Sequence, residues 1–325
     1  MSDLDALSQI WRELHNSTSA EAKKAETSNA DNNKKTTEPP AEDSLEKVLE
    51  ELHELVGLEN IKTEVQTLTN FLKVQKVRIE RGLATTNVSL HCVFCGSPGT
   101  GKTTVARLMG RILKALSFLE KGHLVETDRA GMVASHIGGT AEKVSKLVDS
   151  SLDGVLFVDE AYALKGNTSS QDFGQEAIDT LLKRMEDYRD RLVVVVAGYT
   201  EPMSIFITAN PGLKSRFNRY FYFEDYTPDE LVAIFNRFCK SSNFQLTNEA
   251  TDKLKNLFSK LYEDRDQTFG NARLARNLFE KTIEQQANRL AVISNNLTDE
   301  VLTTILPEDI PEVLPEPPKS LAIEA

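Results

Sequence analysis

Cysteine, histidine and tryptophan are scarce in this chain of 325 residues, at three, five and one. So few cysteines exclude the bridge framework that staples small secreted domains, and they suit a reducing compartment. Cys92 and Cys95 have C-x-x-C spacing, but they fall in a strand-like run, Leu90-His-Cys-Val-Phe-Cys95. In a strand an offset of three puts them on opposite faces, so they read as small core residues rather than a redox or metal pair. The scattered histidines make no zinc pattern. Long apolar runs are missing too, and nothing approaches the ~18 residues of a membrane-crossing helix. No basic-then-apolar leader opens the chain, so a cytoplasmic location is expected. Basic charge is in deficit: 38 Lys+Arg face 49 Asp+Glu, a net −11. That balance argues against a broad nucleic-acid surface, which needs a basic footprint.

What is present is chemically specific. Gly96-Ser-Pro-Gly-Thr-Gly-Lys-Thr103 is a complete G-x-x-x-x-G-K-[ST] phosphate loop, set between the strand run and a helical pattern at Val105, Leu108, Met109 and Ile112. Glycines let backbone N–H groups close around phosphate oxygens, the helix N-terminus adds its positive end, and Lys102 reaches the β- and γ-phosphates. Thr103 offers a hydroxyl to Mg²⁺. Further on, Val155-Leu-Phe-Val-Asp-Glu160 reads as a buried parallel strand that delivers two carboxylates to the sheet edge where ligands bind. Asp159 is the expected Mg²⁺ partner. Glu160 is the expected base that polarises an attacking water.

Length suggests about two folded units, and an apolar share of 40% supports a real core. Residues 1–15 carry Leu4, Leu7, Ile10, Trp11 and Leu14 at helical spacing. Either this short amphipathic helix packs back on the body or it docks a partner with Trp11 as anchor. Residues 16–43 are polar and are expected to be a disordered linker. Residues 44–225 alternate helical patterns with strands, the most apolar being Leu192-Val-Val-Val-Val-Ala197, which implies a parallel sheet covered by helices on both faces. From 226 to 306 three helical segments follow, at roughly 228–241, 248–263 and 270–293, with no strand among them. Residues 307–325 form an acidic, proline-rich tail expected to be disordered.

The chain resembles the AAA+ ATPases, and within them the CbbX/CfxQ and stage V sporulation protein K group. The likeness rests on Val56-Gly-Leu58, Gly96–Thr104, Lys121-Gly-His-Leu124, Ile137-Gly-Gly-Thr-Ala141 and Val155–Tyr162. It continues through Phe173–Ile178, Ala197-Gly-Tyr199, Asn210–Phe217 and Phe269–Asn277. It implies an α/β P-loop domain followed by a small all-helical lid, with ATP and Mg²⁺ as ligands. Position by position, it implies nucleotide contacts from Val56, Gly57 and Leu58 at the adenine, and from Pro98, Gly99, Thr100, Gly101, Lys102, Thr103 and Thr104 at the phosphates. Arg216 matches an arginine finger given in trans to a neighbouring subunit, with Arg219 as the alternative. Arg273 matches a lid arginine that touches the γ-phosphate, while Arg276, three residues on, reads as structural. Where many AAA+ proteins have a polar sensor, often Asn, this chain offers Tyr199.

His136, Ile137 and Gly138 match a pore loop, with His136 in the place of the usual aromatic. A histidine grips polypeptide less firmly, and its charge depends on pH. The resemblance thus implies a homo-oligomeric ring, expected to be hexameric, that hydrolyses ATP to remodel a protein client. One branch of the group resembles red-type Rubisco activases, which pull on a Rubisco tail and respond to a sugar bisphosphate. A nucleotide-dependent assembly scaffold with little threading is the other alternative. A helicase is disfavoured by the acidic charge.

Overall fold

The computed structural model describes residues 44–84, 89–136, 138–165, 173–292 and 297–312. The Trp11 segment, the polar linker, Ile137 and the last thirteen residues, 313–325, lie outside the described residues.

Two helices lead in, α1 (Leu45–His53) and α2 (Glu59–Glu80). α2 buries Ile61, Val65, Leu68 and Leu72, one stripe at helical spacing. The α/β body follows as β1 (Cys92–Gly96), α3 (Lys102–Ala115), β2 (Leu124–Thr127), α4 (Arg129–Met132) and α5 (Gly139–Ser151). It continues as β3 (Gly154–Val158), a 3₁₀ turn (Ala161–Lys165), α6 (Gly174–Asp187), β4 (Leu192–Gly198), α7 (Thr200–Thr208), α8 (Pro211–Arg216) and β5 (Arg219–Phe223). The five strands pair in parallel in the order β2-β3-β4-β1-β5.

All seven residues of β4 are buried, as a strand covered on both faces requires. Cys92 and Phe94 point into the core beneath α1, α2 and α3, whereas Val93 and Cys95 join Leu181 and Phe206 on the other face. The two cysteines therefore sit on opposite faces, as the spacing predicts. Burial pushes their thiols up to about 12 and about 11, so both stay protonated and inert near neutral pH.

The second unit contains α9 (Pro228–Ser241), β6 (Gln245–Leu246), α10 (Asn248–Glu263), α11 (Asn271–Ala291), α12 (Asp299–Thr303) and β7 (Thr304–Ile305). Its Leu231, Phe235, Leu254 and Leu278 belong to the same apolar cluster as Phe94 and Met109. Sheet and lid thus share one core.

Two expectations are corrected, and four elements are added. The lid is not wholly helical, because β6 and β7 form a two-residue parallel ladder, too short to show an alternation in sequence. The tail does not begin at 307. Pro307–Asp309 form a 3₁₀ turn, and Arg289 holds the buried Asp309 through two bonds of 2.7 and 2.8 Å, while Ile310 is 1% exposed. Composition saw the acidic charge of this segment but not the arginine that neutralises it. Finally, β5 and the helices α4, α7 and α8 are elements that the sequence reading passed over.

Candidate nucleotide site

β1 lies between β4 and β5, but the chain leaves it for the β2 side, so the loop after β1 stands at a switch point of the sheet. That loop, Ser97–Gly101, leads straight into α3, whose first residue is Lys102. Lys102 Nζ donates to Gly96 O and Ser97 O, both at 2.8 Å, and so stays folded across the loop. Burial lowers the Lys102 pKa, and the Asp159 carboxylate works against that shift. Gly99 has φ +72, and a Cβ there would fall 2.3 Å from Gly270 O. Only glycine allows the lid backbone so near.

A cleft of about 480 Å³ opens above the loop, and Lys102, Thr103, Asp159, Glu160, Tyr199 and Arg273 line it together. Pro98, Gly99, Gly101 and Thr104 line it too. Thr100 is absent from this lining: its side chain is fully buried, and its hydroxyl donates to Ser97 O at 2.8 Å, bracing the loop from within and leaving only its backbone N–H for a phosphate. Asp159 and Glu160 follow β3 directly, one strand removed from β1, and both line the cleft together with the loop. Glu160 takes φ +47, and its N–H donates to Asp159 Oδ1 at 3.1 Å. A non-glycine residue held in that region stores strain, which is common at reactive sites. The Tyr162 ring lies 6.2 Å from that of Tyr199, and burial, with the Glu160 carboxylate adding, raises the Tyr162 pKa.

Next to the cleft an apolar slot of about 230 Å³ is lined by Val56, Leu58, Tyr226, Ile234 and Phe238. Gly57 supplies the turn between α1 and α2 at φ +60 and is not in the lining. The slot shares Gly99, Gly101 and Thr104 with the cleft, so the apolar and polar cavities adjoin at the loop. Two contributors escaped the sequence reading. Phe238 borders both cavities, and Arg276, read as structural, lines the cleft with its guanidinium 5.5 Å from the Phe238 ring. Phe238 lies on α9, distant in sequence from every motif of the loop, and gave no local signal. Arg276 shares a helical face with Arg273 at an offset of three, which was the available cue.

Arg216 is elsewhere. It ends α8, bonds Glu186 Oε2 at 3.2 Å and Gly212 O at 3.4 Å, and does not line the cleft. β1–β5 register pairs Cys92 with Arg219 and Gly96 with Phe223, so Arg216 and Arg219 stand at the opposite end of the sheet. Four steps of strand put roughly 13 Å between that end and the phosphate loop. The Nε atoms of Arg216 and Arg219 are buried without a hydrogen-bond partner among the described residues. His136 is exposed, and Gly138, at φ +81, caps α5. A groove of about 470 Å³ runs from Glu160 past Arg129 to Ala134 and Ser135, at the root of this loop.

Comparison with known proteins agrees with this geometry. Residues 92–225 match the model of the ATPase family associated with various cellular activities (AAA), and residues 227–319 match an AAA lid domain. Stage V sporulation protein K of Bacillus subtilis is 40% identical over 260 residues, 80% of each chain. The chloroplastic ribulose bisphosphate carboxylase/oxygenase activase of Cyanidioschyzon merolae is 41% identical over 268 residues, covering 82% of this chain and 91% of that one. Among solved structures, the FIGL-1 AAA domain in complex with ADP superposes with a TM-score of 0.54 at 15% identity, over 79% of this chain and 80% of the other. The chain belongs to the AAA family of ATPases, within the group that includes stage V sporulation protein K and the CfxQ homologues. It binds nucleotide and hydrolyses ATP. Among the described residues no helix is long and apolar enough to cross a membrane.

Proposed function

We propose that this protein is a ring-forming ATPase, expected as a hexamer, that couples hydrolysis to remodelling of a protein client. The observation that carries this reading is the separation of Arg216 from its own cleft. A guanidinium fork at the far end of the sheet serves a phosphoryl group only when a neighbouring subunit presents the cleft to it.

Within one cleft, Lys102 and the loop N–H groups hold the β- and γ-phosphates, and Val56 and Leu58 hold the base. Glu160 takes a proton from the attacking water at the γ-phosphate, and Arg273, with the neighbour's Arg216, offsets the charge that develops on the transferring oxygens. Tyr199 faces the same space and supplies a hydroxyl as polar sensor. Thr103 and Asp159 offer one hydroxyl and one carboxylate, a hard-oxygen pair suited to Mg²⁺, which keeps several waters and phosphate oxygens as its other ligands. When bound, Mg²⁺ neutralises phosphate charge. The groove from Glu160 to Ser135 supports transmission of the hydrolysis state to His136 and Gly138.

Two relatives of equal likeness carry unrelated names, one from sporulation and one from carboxylase activation, so the shared body specifies the motor and not the client. The Rubisco-activase alternative rests on that match over 91% of the activase chain, and His136 in the place of the pore-loop aromatic weighs against it. Glu160→Gln tests the reading. Its ATP turnover should fall about 100- to 10,000-fold while ATP binding survives, and ATP should trap it as rings on size-resolved scattering. A monomer in saturating ATP would sink the proposal.

A further inference from the structure

The phosphate loop is gripped by the hinge and by the start of the lid helix α11. Each of its carbonyl oxygens from Gly96 to Thr100 accepts a hydrogen bond. The first two are taken within the loop, by Lys102 Nζ at 2.8 Å to each. The next three are taken from outside. Asn271 Nδ2 donates to Pro98 O at 3.3 Å, Ala272 N to Gly99 O at 3.1 Å and Tyr226 Oη to Thr100 O at 3.3 Å. Tyr226 stands in the hinge between β5 and the lid, and Asn271 and Ala272 open α11.

Asn271 is the hub of this contact. Its side chain is fully buried, and its backbone takes φ +49. Its amide shares two N–H groups among Pro98 O, Asp225 Oδ1 at 2.8 Å and Phe269 O at 3.0 Å, while its Oδ1 accepts from Tyr226 N at 2.8 Å. One buried side chain therefore ties together the phosphate loop, the hinge and the lid helix. A strained backbone persists only where surrounding bonds over-determine it, and here they do.

The consequence follows from peptide geometry. In a planar trans peptide the C=O and the next N–H point in opposite directions. With the carbonyls of Pro98, Gly99 and Thr100 fixed on Asn271, Ala272 and Tyr226, the N–H groups of Gly99, Thr100 and Gly101 are turned away from those donors, in a loop whose Gly99 and Gly101 line the cleft. We propose that Asn271 is a positioning residue that ties the start of the lid helix to the carbonyls of the phosphate loop and thereby holds the loop's N–H groups on a bound triphosphate. Lid angle then controls the grip on nucleotide through the loop backbone, in parallel with any direct contact from Arg273. This rests on the nucleotide-binding assignment of the cleft.

The test uses the full chain and stopped-flow release of a fluorescent ATP analogue. Asn271→Gly keeps the left-handed backbone accessible and removes the side-chain amide with its Cβ. Release should quicken about 5- to 30-fold, the effect of losing one or two net hydrogen bonds, with association within about twofold of the parent. Tyr226→Phe removes the Thr100 bond alone and should quicken release about fivefold. The thermal midpoint without nucleotide is measured alongside, because a merely structural Asn271 would lower the midpoint and leave release unchanged. Release within about twofold of the parent in folded Asn271→Gly overturns the proposal. If that variant does not fold, the same result in Tyr226→Phe overturns it. Failure of the parent chain to bind the analogue removes the nucleotide site itself, a different outcome from failure of the latch.

Discussion

At the scale of single residues, placement rather than identity separates the arginines of this protein. Arg273 and Arg276 line the cleft, Arg289 is spent on the buried Asp309, and Arg216 is held by Glu186 at the other end of the sheet. Near Arg216 lies His91, 5% exposed, whose Nδ1 accepts the Val194 amide at 3.0 Å. Burial, with the Arg216 charge adding, pulls the imidazole from 6.5 down to about 4. A base depressed in the folded state stabilises fully above its unfolded pKa and loses that contribution as pH falls. Stability should therefore decline by about 1.4 kcal/mol per pH unit between pH 6.5 and 4 from this group alone. Denaturant titrations at several pH values check this, comparing the parent with His91→Gln. The variant should lose that slope while its other acid-sensitive groups keep theirs. An unchanged slope would show that His91 is not the group responsible.

At the scale of elements, most of the pattern was legible because its signals are local. The phosphate loop and the Asp159-Glu160 strand end each occupy a few consecutive residues, and helix and strand meet them where expected. β5 did carry a local signal, since Arg219–Phe223 alternates two exposed tyrosines with two buried phenylalanines, the period of a half-buried strand. β6 and β7 were missed because two residues carry no period. The end of the lid gives the clearest experiment. Asp309 is 1% exposed and Arg289 19%, so cutting one partner strands a largely buried charge. A chain ending after 306 should lose about 3–5 kcal/mol of lid stability relative to one ending after 312. Calorimetry of the two truncations reads the difference directly, and equal midpoints would return this segment to the status of a free tail.

At the scale of the whole molecule, the cleft gathers Lys102, Thr103, Asp159, Glu160 and Arg273 but not Arg216, which the proposed ring would supply from a neighbour. Two inactive variants test this arrangement. Arg216→Ala retains a complete cleft without a finger to give, and Glu160→Gln retains the finger without a base. Each alone should turn over ATP at least about 100-fold more slowly than the parent. Mixed, they should recover a sizeable fraction of the parent rate, because some interfaces then join an intact Glu160 to an intact Arg216. No recovery on mixing would place Arg216 outside catalysis in trans. By itself the sequence determined the chemistry of the phosphate loop, the two carboxylates, the parallel sheet and the helical character of most of the lid, because hydrophobic period and motif spacing are properties of neighbouring residues. The tertiary structure decided what those pieces do to one another. Only the fold brings Asn271 and Tyr226 onto the carbonyls of Pro98 and Thr100, sets Phe238 and Arg276 at the cleft, and sends Arg216 to the far edge of the sheet. Those contacts join residues far apart in the chain, where no local pattern can record them.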